Sequence, residues 1–309
     1  MRKFLIDTDT ASDDAVAIIM AHKWPGVQII GVTIVNGNVS VEQGSLNALY
    51  TIELCEQSTP VYIGCSKPML RSCEYSSWFH GKDGMGNMNY PKSILNPEST
   101  HAVDFIIKTI KTNPGEITLV TLGPLTNIAT ALLRAPEIAS LIHRCVVMGG
   151  AANVVGNVTP SAEYNIWVDP EAAKIVFHSG MPIEMVGWEL SRAKAALLPA
   201  EIDKITNSGN KLARFAMECN RVALQVSMDI QKAPGLTLAD PVAMAVALDP
   251  DLIDRQGKYY VDVEVNSELT RGQTIVDELG VLKKKPNINV IWSIHTSRWK
   301  DNLYRSLMV

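Results

Sequence analysis

The chain has 309 residues, 47% of them hydrophobic, which is enough for one large α/β domain or two average ones with a substantial core. Net charge is −4 and the longest basic run, Lys283-Lys284-Lys285, stops at Pro286, so nucleic acid is excluded as an expected partner. No apolar run approaches a membrane span, Met1-Arg2-Lys3 is followed by no secretory core, and Cys55, Cys65, Cys73, Cys145 and Cys219 lack CxxC spacing; a cytoplasmic protein with reduced thiols is expected.

The first predicted element is a strand at Phe4-Leu5-Ile6, followed by the run Asp7-Thr8-Asp9-Thr10-Ala11-Ser12-Asp13-Asp14 and a helix through Ala15-Val16-Ala17-Ile18-Ile19-Met20. Alternation along an extended chain puts Asp7 and Asp9 on one side, and Asp13 and Asp14 fall in the helix's opening turn. Helix capping accounts for Asp13 and Asp14, but not for Asp7 and Asp9. Like charges converging on one small volume repel strongly, and a hard divalent cation among them is the simplest remedy.

A strand over 28–35, a helix over 41–56 and a short strand over 61–63 come next. Helix 101–111, strand 117–122, helix 125–133, strand 145–148, helix 170–178 and strand 183–186 follow. This alternation predicts an α/β fold with a mostly parallel central sheet flanked by helices, an open sheet with helical excursions, in a single domain over 1–309. Ligands bind beyond the carboxyl ends of such strands, so the loops after strands are the informative ones.

Two of those loops are long. Residues 68–97 contain Trp78-Phe79-His80-Gly81-Lys82-Asp83-Gly84-Met85-Gly86-Asn87, a glycine-rich, aromatic stretch expected to be mobile when empty and to close over a ligand. Residues 151–167 form the other. Residues 200–228 read as helical, as do 240–248, where Asp240 before Pro241 reads locally as an N-cap. Asn38 follows the second strand, Gly123-Pro124-Leu125-Thr126-Asn127 follows another, and Asn157 precedes Glu163-Tyr164-Asn165. A single Asn at such a place is an ordinary turn former. Several together suit a polyhydroxylated ligand, because each hydroxyl needs a donor and an acceptor.

In order along nearly the whole chain, Asp7-Thr8-Asp9, Asp13-Asp14-Ala15-Val16-Ala17-Ile18, Gly37-Asn38, Gly123-Pro124-Leu125-Thr126-Asn127-Ile128-Ala129, Met148-Gly149-Gly150, Glu163-Tyr164-Asn165 and Asp240 resemble the inosine-uridine preferring nucleoside hydrolases. The resemblance implies calcium-dependent hydrolysis of the N-glycosidic bond of ribonucleosides, releasing ribose and free base. It implies Ca²⁺ held by Asp9, Asp14, the backbone carbonyl of Leu122 and Asp240, with Asp9 also the general base that activates the attacking water. Asp13, Asn38, Asn157, Glu163 and Asn165 grip the ribose in this reading, Met148 and Tyr164 complete the substrate site, and Asp7 orients its neighbours. A homo-oligomer, dimer or tetramer, acting in nucleoside catabolism and purine salvage belongs to the same expectation. The chemistry agrees: carboxylates and carbonyl dipoles stabilise an oxocarbenium-like ribosyl cation, and calcium prefers oxygen ligands.

The sequence also departs from the family pattern. Many members place a His immediately before the last calcium aspartate as general acid for the departing base, and some purine-specific members place a Trp there; here the residue is Ala239. His80 is then the expected proton donor, with Trp78 and Trp188 as stacking faces and a preference for purines. One extra residue separates Met148 from Asn157. Two rival readings start from the same residues. Asp7-Thr8-Asp9-Thr10 also fits the opening of haloacid-dehalogenase-like phosphatases, which leaves Asp13-Asp14 and the amides without roles. A non-catalytic or altered-substrate nucleoside- or sugar-binding homologue that keeps the calcium site is the other.

Overall fold

The structure is a computed structural model that describes residues 1–308. Phe4, Leu5 and Ile6 have no solvent exposure, as a strand covered on both faces requires. They lie within β1 (Arg2–Thr8), and β2 (Val27–Ile34), β3 (Val61–Ile63), β4 (Ile117–Thr121), β5 (Arg144–Met148) and β6 (Ile183–Val186) are all parallel to it. Their order is β3-β2-β1-β4-β5-β6. The winding direction reverses between β1 and β4, and the crevice outside their carboxyl ends is where doubly wound sheets bind ligands.

After Leu248, where the sequence pattern gives no assignment, the chain adds β7 (Ile253–Val263), β8 (Thr274–Asp277) and β9 (Ile288–Ile294). β9 joins β6 in parallel, β7 runs antiparallel to β9, and β8 forms the edge of the nine-stranded sheet. Much of β7 is only partly covered and its first half carries Asp254, Arg255 and Lys258, so no apolar run announces it. The helix Thr296–Met308 closes the fold by burying Trp299, whose indole N–H donates to Ala195 O.

Most flanking helices show one apolar face; Ala102–Thr112 buries Val103, Ile106 and Ile110 at helical spacing. Ser12–Lys23 and Ala239–Leu248 differ, being buried nearly all round because they pack on each other between the sheet and an outer helix layer. Both start at the carboxyl edge of the sheet, so the positive ends of two helix dipoles face the acidic residues in their first turns. At the opposite end of Ala239–Leu248, Arg2 donates to Ala247 O and Leu248 O, and Arg144 to Val246 O and Ala247 O. Those guanidiniums satisfy the carbonyls that a helix terminus leaves unpaired.

The predicted helix over 200–228 is three: Pro199–Thr206, Lys211–Glu218 and Arg221–Asp229. Gly209 has φ +82° and Asn210 restarts the second by accepting from Leu212 N. The long loops also contain short helices, Ser77–His80 and Tyr164–Val168. Among the described residues no helix is long and apolar enough to cross a membrane.

Candidate active site

Beyond the end of β1 the chain leaves the pleat, and this separates two acids that an extended segment would align. Asp7, still hydrogen-bonded within the sheet, turns to the Thr33 hydroxyl at 2.5 Å and Asn127 Nδ2 at 2.8 Å. Burial pushes its carboxyl up to about 7 with no neighbouring carboxylate contributing. The convergence expected of all four acids of the turn is therefore corrected for Asp7; Asp9, Asp13 and Asp14 lie near Asp240, which the resemblance had grouped with Asp9 and Asp14. Asp240 is no N-cap either, since Leu238 holds that position and Asp240 lies in the first turn of its helix.

Asp9 is fully buried, its Oδ2 accepting from Asn38 N at 2.5 Å while Oδ1 has no partner. Two glycines make its position possible. A Cβ on Gly37 would fall 2.0 Å from Asp9 Oδ2, and one on Gly123 2.9 Å from Oδ1. Asp14 accepts from the Thr8 hydroxyl at 2.5 Å and from Ala11 N at 2.9 Å, closing the first turn of Ser12–Lys23 from inside. Carboxylate oxygens of Asp13, Asp14 and Asp240 lie within 4.8 Å of one another. Burial, then the neighbouring negative charges, pushes Asp9 and Asp240 well above the usual carboxylate range and Asp14 up to about 6.

This donor set fits a divalent cation. It consists of oxygens only, it is largely buried, its members repel without a counter-charge, and Asp9, whose Oδ1 is an orphaned acceptor, adds its charge to theirs. The Leu122 carbonyl, whose own N–H donates to Asp7 O at 2.8 Å, borders the same cleft and accepts from Asn165 Nδ2 at 2.8 Å.

Above the acids lies a cleft bordered by Asp13, Asn38, Leu122, Met148, Asn157, Glu163, Tyr164, Asn165 and Asp240, with Trp78, His80 and Trp188 among its further walls. The structure thus brings these residues to one cleft, with Asp9 and Asp14 buried behind its floor and Asp7 and Asn127 outside it. Asn157 is among them despite the extra residue before it, its Oδ1 accepting from Tyr164 N at 2.9 Å. Glu163 caps the helix Tyr164–Val168, Oε1 accepting from Asn165 N and Oε2 from Gly150 N, both at 2.9 Å, and burial pushes its carboxyl up to about 7. The Tyr164 hydroxyl lies 2.8 Å from Gly37 O and 2.7 Å from Glu74 O, tying the two long loops together.

Sequence reasoning missed Ser76 and Ser12. Ser76 borders the cleft and donates to Asn38 Oδ1, fixing that amide, while the Ser12 oxygen lies 2.8 Å from His80 Nδ1. A lone serine carries no sequence signal for either role. Asn127, which looked like a sugar-binding amide, is a strut: Nδ2 donates to Asp7 and to Ile34 O, and Oδ1 accepts from Cys65 N.

His80 is buried, which lowers the affinity of its ring for a proton, while Asp13 works in the opposite direction. Trp78 is 47% exposed and meets Phe79 edge-on, whereas Trp188 is buried, donates to Val155 O and lies under the Arg192 guanidinium. The stretch behind His80, expected as a mobile lid, carries a network of hydrogen bonds. Asp83 accepts from the backbone of Met85, Asn87 and Asn89, Asn47 donates to Asp83 O, and Arg221 Nε donates to Gly86 O. Its glycines serve the turn: Gly81, Gly84 and Gly86 all have positive φ. Gly86 also lets the backbone approach Cys219 O, which a Cβ would meet at 2.6 Å.

A doubly wound sheet whose switch point holds buried carboxylates under an amide-lined cleft has the makings of a hydrolase for sugar-bearing ligands, and fold comparison narrows that class to the nucleoside hydrolases. The whole chain superposes on a plant nucleoside hydrolase, PpNRh1, with a TM-score of 0.94 at 30% identity, covering 99% of that chain. A purine-preferring ribonucleoside hydrolase from Gardnerella vaginalis gives 0.92 at 33% identity, over 99% of this chain and 98% of that one. Residues 4–301 match the family model "Inosine-uridine preferring nucleoside hydrolase", and the chain belongs to that family; it is a ribonucleoside N-glycosidase. It is 38% identical to the pyrimidine-specific ribonucleoside hydrolase RihB of Escherichia coli (strain K12), over 96% of this chain and 93% of the relative. The phosphatase reading falls with this finding, and the turn of Asp7 away from the cleft agrees.

Proposed function

We propose that the protein is a calcium-dependent hydrolase of ribonucleosides that works in the cytoplasm and releases ribose and a free base. The observation that carries this reading is the close set of oxygens on Asp13, Asp14 and Asp240, together with a fully buried Asp9 whose Oδ1 is orphaned and whose carboxyl feels the charge of Asp14 and Asp13. Asp9, Asp14, Leu122 O and Asp240 would hold the ion. When bound, it supplies the positive charge that keeps these acids ionised and lowers the pKa of the attacking water. Asp9 takes that water's proton. Asp13, Asn38, Asn157, Glu163 and Asn165 bind the ribose hydroxyls, and Glu163 and Asp13 place negative charge beside the ribosyl cation that forms as the bond breaks.

His80 assists the departing base, with Trp78 and Trp188 as its aromatic walls and Met148 and Tyr164 completing the site. Ala239 borders the cleft without a group that protonates or stacks, which favours purines, whose imidazole ring gains most from a single donor. A second reading, preference for pyrimidines, is favoured by the 38% identity to RihB. Five cysteines without disulfides accord with a reducing compartment. Exposed Leu279, Val281 and Leu282 next to the edge strand β8 offer a face for a second copy in a homo-oligomer. Incubation with inosine, uridine and p-nitrophenyl phosphate tests the function: ribose release from either nucleoside is expected, with inosine the faster. Binding of nucleosides without ribose release would leave the non-catalytic homologue.

A further inference from the structure

The candidate leaving-group residue, His80, is held at one ring nitrogen by a residue that belongs to the acidic turn. Ser12 has no solvent exposure, its Oγ lies 2.8 Å from His80 Nδ1, and this is its sole side-chain hydrogen bond among the described residues. The position of Ser12 is itself fixed, because its carbonyl accepts from Asn220 Nδ2 at 3.0 Å and from the Cys219 thiol. Asp13 Oδ1 is the charged group nearest the ring, 3.8 Å from the same nitrogen and beyond hydrogen-bond reach.

A hydroxyl has one proton to donate, and a buried donor left unmatched costs about 1–3 kcal/mol. If His80 carried its proton on Nδ1, Ser12 would accept it and the serine proton would have no acceptor. If the proton is on Nε2, the serine donates to the bare Nδ1, and the hydroxyl proton and that nitrogen are matched. Resting on the reading of His80 as the residue that assists the base, we infer that Ser12 is a positioning residue that locks His80 in its Nε2–H tautomer and so presents a hydrogen-bond donor, rather than an acceptor, to the departing base. The hydroxyl does this across the junction between the acidic turn and the glycine-rich loop, so the metal end and the base end of the site share one hydrogen bond. A neutral imidazole suits this task, since an N–H aimed where negative charge develops on the base needs no proton uptake beforehand.

The test is ¹⁵N NMR of the full-length protein labelled in histidine, with the His80 signals identified by their loss in His80→Gln. In the unmodified protein Nδ1 is expected to show the pyridine-like resonance and Nε2 the pyrrole-like one. In Ser12→Ala the two should move toward a mixture of tautomers, kcat on the best nucleoside should fall about tenfold with KM within about twofold, and Ser12→Thr should restore both readouts. A pyrrole-like Nδ1 in the unmodified protein, which requires no variant to fold, overturns the proposal. So does a Ser12→Ala protein with unchanged His80 resonances and unchanged kcat. Failure of the underlying reading looks different: His80→Gln would be kinetically silent while the tautomer assignment stood in the spectra.

Discussion

In the proposed reading Asp9 is the base: its Oδ1 is buried and unpartnered, and a backbone donor is already in place on Oδ2. Asp9→Asn keeps the shape but removes the proton acceptor and the charge, so kcat should fall by about 10²-fold or more while circular dichroism stays native. Steady-state kinetics that change less than tenfold would remove Asp9 as the base. His80→Gln should lower kcat more than it raises KM, the signature of an interaction made mainly in the transition state; equal effects on both would make it a binding residue only. Glu189 offers a test on stability. Burial pushes its carboxyl from the usual 4.5 up to about 7, Oε1 accepts from Ala152 N at 3.2 Å, and Oε2 has no partner. The folded state therefore holds this proton more tightly than the unfolded chain. Its contribution to stability is complete below pH 4.5 and is lost as pH rises through about 7. Glu189→Gln should flatten the decline in Tm across that interval, and parallel curves for the two proteins would show that the proton is not held there.

At the level of elements, the glycine-rich stretch shows how a loop that looks mobile in sequence can be dense in hydrogen bonds. Glycines and asparagines signal freedom when counted, yet here they supply the positive φ values that let three backbone amides converge on Asp83. Hydrogen exchange at Met85, Asn87 and Asn89 should be slow in the ligand-free protein. Asp83→Ala should speed it and weaken catalysis through displacement of His80, whereas fast exchange before any mutation would restore the idea of an open lid. The helices Ser12–Lys23 and Ala239–Leu248 have the converse character. Their near-uniform apolarity hides any amphipathic face, and it is this that lets them carry acids into the interior on two helix N-termini.

For the molecule as a whole, the acidic floor predicts that metal and folding are linked. Removing a cation leaves like charges in a buried volume, so exhaustive chelation should abolish ribose release and lower Tm, and added Ca²⁺ should restore both better than Zn²⁺ does. Full activity after chelation, or stoichiometric zinc in the purified protein, would count against the oxygen-only site. The hydrogen-bonded order of the sheet takes in strands from residue 2 to residue 294, so the acidic floor rests on a framework drawn from nearly the whole chain.

What the sequence determined by itself was whatever short-range periodicity encodes. Most parallel strands are apolar runs, most intervening helices repeat at 3.6, and the acidic turn between the first strand and helix is local, so the α/β class and the strand ends were legible; the set of cleft residues came mostly from the resemblance to a family, and Ser76 from neither. The antiparallel half of the sheet was not, because partly exposed strands such as β7 carry charges that erase the pattern. Tertiary structure alone decided which acids meet. Asp7 and Asp9 are neighbours in sequence, but the pleat ends between them; Asp240 enters the cluster from more than two hundred residues away because its helix is buried against the first one. The pairing of Ser12 with His80 was equally invisible, since a hydrogen bond between two loops depends on how the helices beneath them pack and leaves no period in the chain.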